Sequence, residues 1–260
     1  MRAIGRIAAL ALSGLVAVTL LSACSATRVQ AGRSSAPARN SSRGSADRHP
    51  SAAETTHKSP PPFGVLIAVS KVPSLPVSTI PGAAPTQTLA NPNDLGAPLV
   101  LLVNAVRGEW VQVFLPERPN ESLGWVRSAD VSTTRDPERI IVDLSTRHLW
   151  LLRDNRTVFQ APVAVGSPSS PTPTGDFFVT EVLKVVGADN PYGPYALGLS
   201  GFSNTYYSFE GGPGQIAIHG TDQPWVIGQY ASHGCVRLDN ADISALATQV
   251  EAGTPVDIVS

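Results

Sequence analysis

Beyond its first segment, this chain never sustains an apolar stretch for long. Glycine and proline, 22 and 23 of its 260 residues, close one short run after another before a long helix could form. Several runs alternate in and out, which is the period of a strand. Trp110-Val111-Gln112-Val113-Phe114 is the clearest, and Gly124-Trp125-Val126 answers it across a polar loop. Arg139 to Leu144 turns at Ser145-Thr146 and returns as His148 to Leu152; Asp154-Asn155-Arg156 is the next turn and Val158 to Val165 the next strand. Gly64 to Val69 and Leu99 to Val103 add shorter runs. Helical spacing recurs near Asn240 to Val250, through Ile243, Leu246, Ala247 and Val250. Few aromatics and sparse charge agree with a loop-rich, mainly β protein carrying one short helix.

The first segment differs. Arg2 and Arg6 precede an apolar run, Ile7 to Leu21, that is too short to span a bilayer comfortably and reads as a signal peptide over residues 1–23. It ends in Leu21-Ser22-Ala23-Cys24, which resembles the bacterial lipobox. That resemblance implies cleavage, an acylated Cys24 as the new N-terminus, and a membrane anchor of several acyl chains, since one alone binds reversibly. The alternative is an ordinary signal peptide with a chance cysteine. Export is common to both. Residues 24–62 are rich in Ser, Ala, Arg and Pro, with almost nothing bulky to bury, and read as a disordered tether. Its arginines, Arg28 to Arg48, either touch anionic lipid or wall polymer or are simply solvated. The formal charge of -1 gives no reason to expect nucleic acid.

Only two cysteines occur, and Cys24 is consumed by processing or lipidation, so Cys235 has no partner for an internal disulfide. A lone thiol in an oxidising exterior is either a buried inert residue or a working nucleophile. Its surroundings are informative: Ile216-Ala217-Ile218-His219-Gly220, a loop, then Ala231-Ser232-His233-Gly234-Cys235-Val236-Arg237-Leu238. A thiol attacks a carbonyl as its thiolate, and an imidazole at hand can take the proton and pass it to a leaving amine. His219 follows an alternating run, at the end of a strand, and Cys235 follows a glycine that permits an unusual turn. Spacing alone leaves the inert reading open.

The histidine, the spacer and Ser-His-Gly-Cys together resemble the signature of the YkuD-type L,D-transpeptidases. Pro171-Thr172-Pro173-Thr174-Gly175-Asp176-Phe177 resembles that family's Thr-Pro-Thr-Gly turn, and the likeness runs from about Arg139 to Ser260. Gly124-Trp125-Val126-Arg127 with Asp130-Val131 resembles bacterial SH3-like barrels, which often sit beside wall-modifying domains. The resemblances imply a mainly β fold: an SH3-like small barrel over residues 63–134, followed by a YkuD-type β-sandwich-like catalytic domain over residues 138–260 with a short helix after the nucleophile.

In that family reading Cys235 is the nucleophile, His219 its base, and Ser232, His233 and Gly234 shape the site, with the Gly234 and Cys235 amides as oxyanion donors. Arg237 holds a substrate carboxylate or, equally, pairs with Asp239 or Asp242. The implied substrate is a peptidoglycan tetrapeptide stem, whose third-residue carbonyl forms a thioester with release of D-alanine, followed by transfer to an acceptor amine without ATP. Carbapenem β-lactams are implied as covalent inhibitors. No cofactor is implied. His219, His233 and Cys235 lack a fourth ligand at a familiar spacing, which argues against zinc. Trp225, Tyr230 and the Tyr192, Tyr195, Tyr206 and Tyr207 cluster either line the substrate groove or pack; the insertion carrying the cluster is a candidate lid. Competing readings are an L,D-carboxypeptidase, in which water accepts the acyl group, a non-catalytic wall-binding lipoprotein with a buried Cys235, and a general cysteine protease.

Overall fold

The protein is described by a computed structural model, which covers residues 64–187 and 190–260. The signal peptide, Cys24, the tether and Phe63 lie outside the described residues.

The chain runs through β1 (Val65–Ser70), β2 (Ser74–Val77), β3 (Gln87–Ala90), β4 (Val100–Arg107), β5 (Trp110–Phe114), β6 (Leu123–Arg127) and β7 (Val131–Asp136). Five of these form one antiparallel sheet in the order β6-β5-β4-β1-β7. The β2–β3 hairpin lies against it, joined by paired backbone bonds between Ser78 and Trp125 of 2.9 and 2.8 Å. Alternation explains the packing: Val111 and Val113 are buried, whereas Trp110, Gln112 and Phe114 are less covered. Arg127 lies over the Trp110 ring at 4.9 Å, so a half-buried aromatic gains a cationic cover.

The second lobe follows as β8 (Glu138–Asp143), β9 (His148–Arg153), β10 (Arg156–Pro162), β11 (Val165–Gly166), β12 (Gly175–Lys184), β13 (Tyr195–Phe202), β14 (Gln215–His219), β15 (Tyr230–Ser232), β16 (Val236–Arg237), α1 (Asn240–Ala247) and β17 (Pro255–Val259). Its main sheet has eight strands in the order β10-β9-β8-β17-β12-β13-β14-β16. The expected strand from Val158 to Val165 divides: Pro162, with no amide to donate, ends β10, and Val165-Gly166 pairs in parallel with β15 instead. The expected short helix is α1, capped by the Asp239 carboxylate, which accepts the Ala241 N–H at 2.9 Å. Ile243 and Leu246 fix it to the sheet.

Adjacent residues on β12 tie the lobes together. Phe177 enters the core of the eight-stranded sheet, beside Val179, Leu197 and Ile216, while Phe178 points the other way into the core of the five-stranded sheet. The described residues accordingly form one compact unit. Gly253 comes so close to Val100 that a β-carbon there would lie 2.4 Å from its Cγ1. The chain is mainly β.

Candidate active site

Strand β14 buries Ile216 and Ile218 in the core, which leaves Ala217 and His219 on its opposite face. Strand β16 runs parallel to it, with Ile218 opposite Val236 and His219 opposite Arg237. Cys235, one position earlier, comes abreast of Ala217, whose backbone N–H is directed at the thiol. Abreast residues of a parallel pair share a face, so Cys235, Arg237 and His219 look the same way. The structure therefore brings together the two residues expected to do chemistry.

His219 is 3% exposed, and its Nδ1 lies 2.6 Å from the Gly220 carbonyl. A carbonyl only accepts, so Nδ1 carries the proton and Nε2 is the basic nitrogen. Burial pushes the imidazole down to about 4, against the Gly220 carbonyl that favours its charged form, while the Arg237 charge lowers it further. Gly220 is held in turn. A β-carbon on it would lie 2.3 Å from the Asn240 Oδ1, and that same oxygen accepts the Thr221 N–H at 2.9 Å.

Cys235 keeps partial exposure, which a nucleophile needs, yet protein crowds its thiol. That burial raises its pKa; the Ala217 N–H and the Arg237 charge pull it down, and Glu210 opposes them. Burial thus favours the uncharged form of both groups, which suits proton transfer during attack rather than a standing ion pair.

The turn before the thiol is shaped by Ser232. Its buried hydroxyl donates to the Cys235 carbonyl at 2.5 Å and accepts the Gly234 N–H at 3.1 Å. Of the two amides expected as oxyanion donors, that of Gly234 is therefore already engaged inside the protein. The Cys235 amide has no partner among the described residues. Gly234 has φ +123, where a side chain would be strained. The His233 carbonyl accepts the Ser170 hydroxyl at 2.7 Å, and its exposed imidazole packs beside Tyr206 and Phe209, at ring distances of 5.8 and 5.3 Å.

Arg237 does not pair with Asp239 or Asp242. Asp239 caps α1, and the Arg237 Nε is buried with no hydrogen-bond partner among the described residues. Its charge is felt at both Cys235 and His219.

Tyr192, one of the tyrosines expected either to line the groove or to pack, stands against the candidate base: its ring rests on His219 at 4.9 Å and its hydroxyl donates to Glu210 at 2.7 Å; burial, with Glu210 next, pushes the phenol up to about 12. Glu210 carries no signal in the sequence strong enough to single it out, and reaches the thiol's electrostatic surroundings from the 203–214 segment. Trp225 is 70% exposed, and Tyr230 lies under Arg147 with its hydroxyl donating to the Leu144 carbonyl at 3.1 Å. Two cavities, of about 590 and 630 Å³, open between the lobes and are lined by neither Cys235 nor His219.

Comparison with known proteins bears on the same region. The YkuD family model, described as the L,D-transpeptidase catalytic domain, matches residues 137–258. The putative L,D-transpeptidase YkuD of Bacillus subtilis is 36% identical over 122 residues, covering 47% of this chain and 66% of that protein. The putative L,D-transpeptidase YqjB of the same organism is 31% identical over 128 residues, covering 45% of this chain and 68% of that one. The alignment thus spans just under two thirds of the first relative's length. Among solved structures, L,D-transpeptidase 3 from Mycobacterium tuberculosis in complex with a faropenem-derived adduct is similar with a TM-score of 0.42 and 18% identity, over 60% of this chain and 79% of that one.

Proposed function

The chain belongs to the YkuD family of L,D-transpeptidases, and from that premise we propose that it cross-links peptidoglycan through a thioester on Cys235. The observation that carries this reading is the orientation of His219: its Nδ1 donates to the Gly220 carbonyl, and its other nitrogen stays basic on the face it shares with Cys235.

In the proposed reaction the Cys235 sulfur attacks the carbonyl carbon of the third residue of a tetrapeptide stem as His219 Nε2 takes the thiol proton. The tetrahedral oxyanion accepts the Cys235 N–H, a donor of a kind worth roughly 3 kcal/mol when well placed. Collapse breaks the amide bond, His219 returns the proton to the departing D-alanine amine, and the acyl group stays on sulfur. An acceptor amine, such as the side-chain amine of a second stem, then attacks the thioester. Its proton passes through His219 to the leaving thiolate, and a peptide cross-link replaces the thioester with no nucleotide consumed. Arg237 places positive charge beside the thiol and the incoming substrate carboxylate.

We further propose that the enzyme works outside the membrane, anchored through Cys24; detergent partitioning of the full chain against Cys24→Ser tests this, and equal partitioning would overturn it. Acylation by carbapenems belongs to the same reading, measured as addition of the drug's mass to the protein and its absence in Cys235→Ala.

The central test incubates the purified protein with a disaccharide-tetrapeptide and follows products by mass spectrometry beside Cys235→Ala. A cross-linked dimer with released D-alanine, both lost in the variant, is the expected result. D-alanine with tripeptide alone would replace transpeptidation by carboxypeptidase activity. Absence of any Cys235-dependent product from folded protein would overturn the enzymatic reading.

A further inference from the structure

One segment of the first lobe leaves its own sheet and grips the second. Between β5 and β6, the chain from Leu115 to Ser122 touches the catalytic lobe at three places. Glu121 accepts the Asp176 N–H at 3.2 Å, where β12 begins. Asn120 behaves as a strand neighbour to Phe202, donating to its carbonyl at 2.9 Å and accepting its N–H at 2.8 Å, where β13 ends. Arg118 reaches furthest. Its guanidinium donates to three carbonyls of the segment that leaves β13: Pro213 at 2.7 Å, Ser203 at 2.9 Å and Tyr206 at 3.0 Å.

Those carbonyls converge because the 203–214 segment is a closed loop, pinched where the Ser203 N–H donates to the Gly214 carbonyl at 2.8 Å. Phe202 and Tyr207 stack on the guanidinium at 4.7 and 4.9 Å, so its faces are covered as well as its edges. Gly214 makes the fit: with φ +73, a β-carbon there would lie 2.1 Å from the Tyr206 carbonyl oxygen.

The clasped loop is a wall of the active site. Tyr206 and Phe209 pack on His233, two residues before the thiol. Glu210 holds the Tyr192 hydroxyl, and Tyr192 rests on His219. A guanidinium fork satisfying three carbonyls fixes a loop far better than a point charge would, because its donors are rigidly disposed.

We propose that Arg118, supported by Asn120, is a positioning residue of the catalytic site: the first lobe sets the 203–214 loop that forms the donor-stem wall beside Cys235. This rests on the proposed function for its substrate, though not for its geometry. The two are therefore tested by separate readings on the full chain. Amide hydrogen exchange of residues 203–214 needs no substrate; Arg118→Ala is expected to accelerate it, whereas Arg118→Lys recovers it only in part. Unchanged exchange in Arg118→Ala would overturn the proposal.

The second reading splits the kinetics of D-alanine release. Arg118→Ala is expected to lower kcat/KM by about ten- to a hundredfold, mainly through KM, while alkylation of Cys235 by iodoacetamide, which needs no donor wall, changes less than about twofold. Equal loss of alkylation and turnover, or a collapsed thermal transition, would make Arg118 a general structural support and overturn the proposal. Exchange that responds to Arg118→Ala in a protein that releases no D-alanine would uphold the clasp and sink the substrate assignment.

Discussion

The two edges of the eight-stranded sheet are built by opposite means. At the β10 edge, β8, β9 and β10 follow one another through tight turns, and each strand pairs with its neighbour in sequence. At the β16 edge, β14 and β16 are parallel, so the chain must travel through the 220–234 loop before it can return beside itself. The first edge is nearly all local contact and presents no reactive group in a shaped environment. The second is assembled from distant segments and holds Cys235, His219, Tyr192 and Glu210 together. The candidate site lies where the backbone is brought back beside itself, because side chains from separate loops converge there.

The comparison can be broken by substitutions at either edge, taken from the greatest effect downward. Cys235→Ala is expected to abolish D-alanine release, a loss of more than about a thousandfold, with the melting temperature little changed; residual turnover well above background would move the nucleophile elsewhere. His219→Gln should cost about a hundred- to ten-thousandfold in kcat/KM. In the wild type the acid limb of the pH profile should fall near pH 4 rather than 6.5, since the buried imidazole remains a base down to about 4. The stability sign follows: from pH 6.5 down to 4 the unfolded chain takes up a proton that native His219 refuses, so stability drops by roughly 3 kcal/mol on acidification. Asp136, raised from 3.8 to about 6 by burial and then by the Glu138 carboxyl, works against this by holding a proton in the native state over much of that range. Urea titrations across the range should show Asp136→Asn deepening the acid loss; a shallower loss would reverse the assignment.

At the local edge the effect changes kind. Leu151→Ala, at a fully buried position of β9, should cost about 2–5 kcal/mol of stability while kcat/KM of the folded fraction holds. Loss of both together would show that the edges are one mechanical unit. Ser232→Ala sits between the extremes: removing the hydroxyl that bridges Cys235 and Gly234 should cost about 1–3 kcal/mol and lower the acylation rate as well, read by the mass of the acyl-enzyme over time. Thr157→Ala, exposed on β10, should stay within about 0.5 kcal/mol, with turnover unchanged.

That contrast also decides how much was legible in the sequence. The β8–β9 hairpin could be read because every cue was nearby: alternating residues, and a turn in which the Asp143 carboxylate accepts the N–H groups of Ser145 and Thr146 at 2.8 and 3.1 Å. Asp154 and Asn155, both at positive φ, make the next turn equally plain. The helix after Cys235 announced itself through the spacing of Ile243, Leu246, Ala247 and Val250; its Asp239 cap became plain only in the fold. Nothing local says that β17, the last strand, inserts between β8 and β12, or that Val165 leaves β10 to pair beside Tyr230. Cys235 and His219 were visible as residue types in a motif. The partner that orients His219 was not, because it is a backbone carbonyl, and Glu210 and Arg118 reach the site only through folded loops.

The state of the thiol has a further consequence, for endurance. Peroxides and disulfides attack thiolate far faster than thiol, and the first product, a sulfenic acid, leads on to forms that no longer react with carbonyls. Because burial raises the pKa of the Cys235 thiol, the idle protein presents little thiolate for an oxidant to consume. Its protection is to stay unreactive between turnovers, so its working life should be set by how often it is acylated and not by how long it waits.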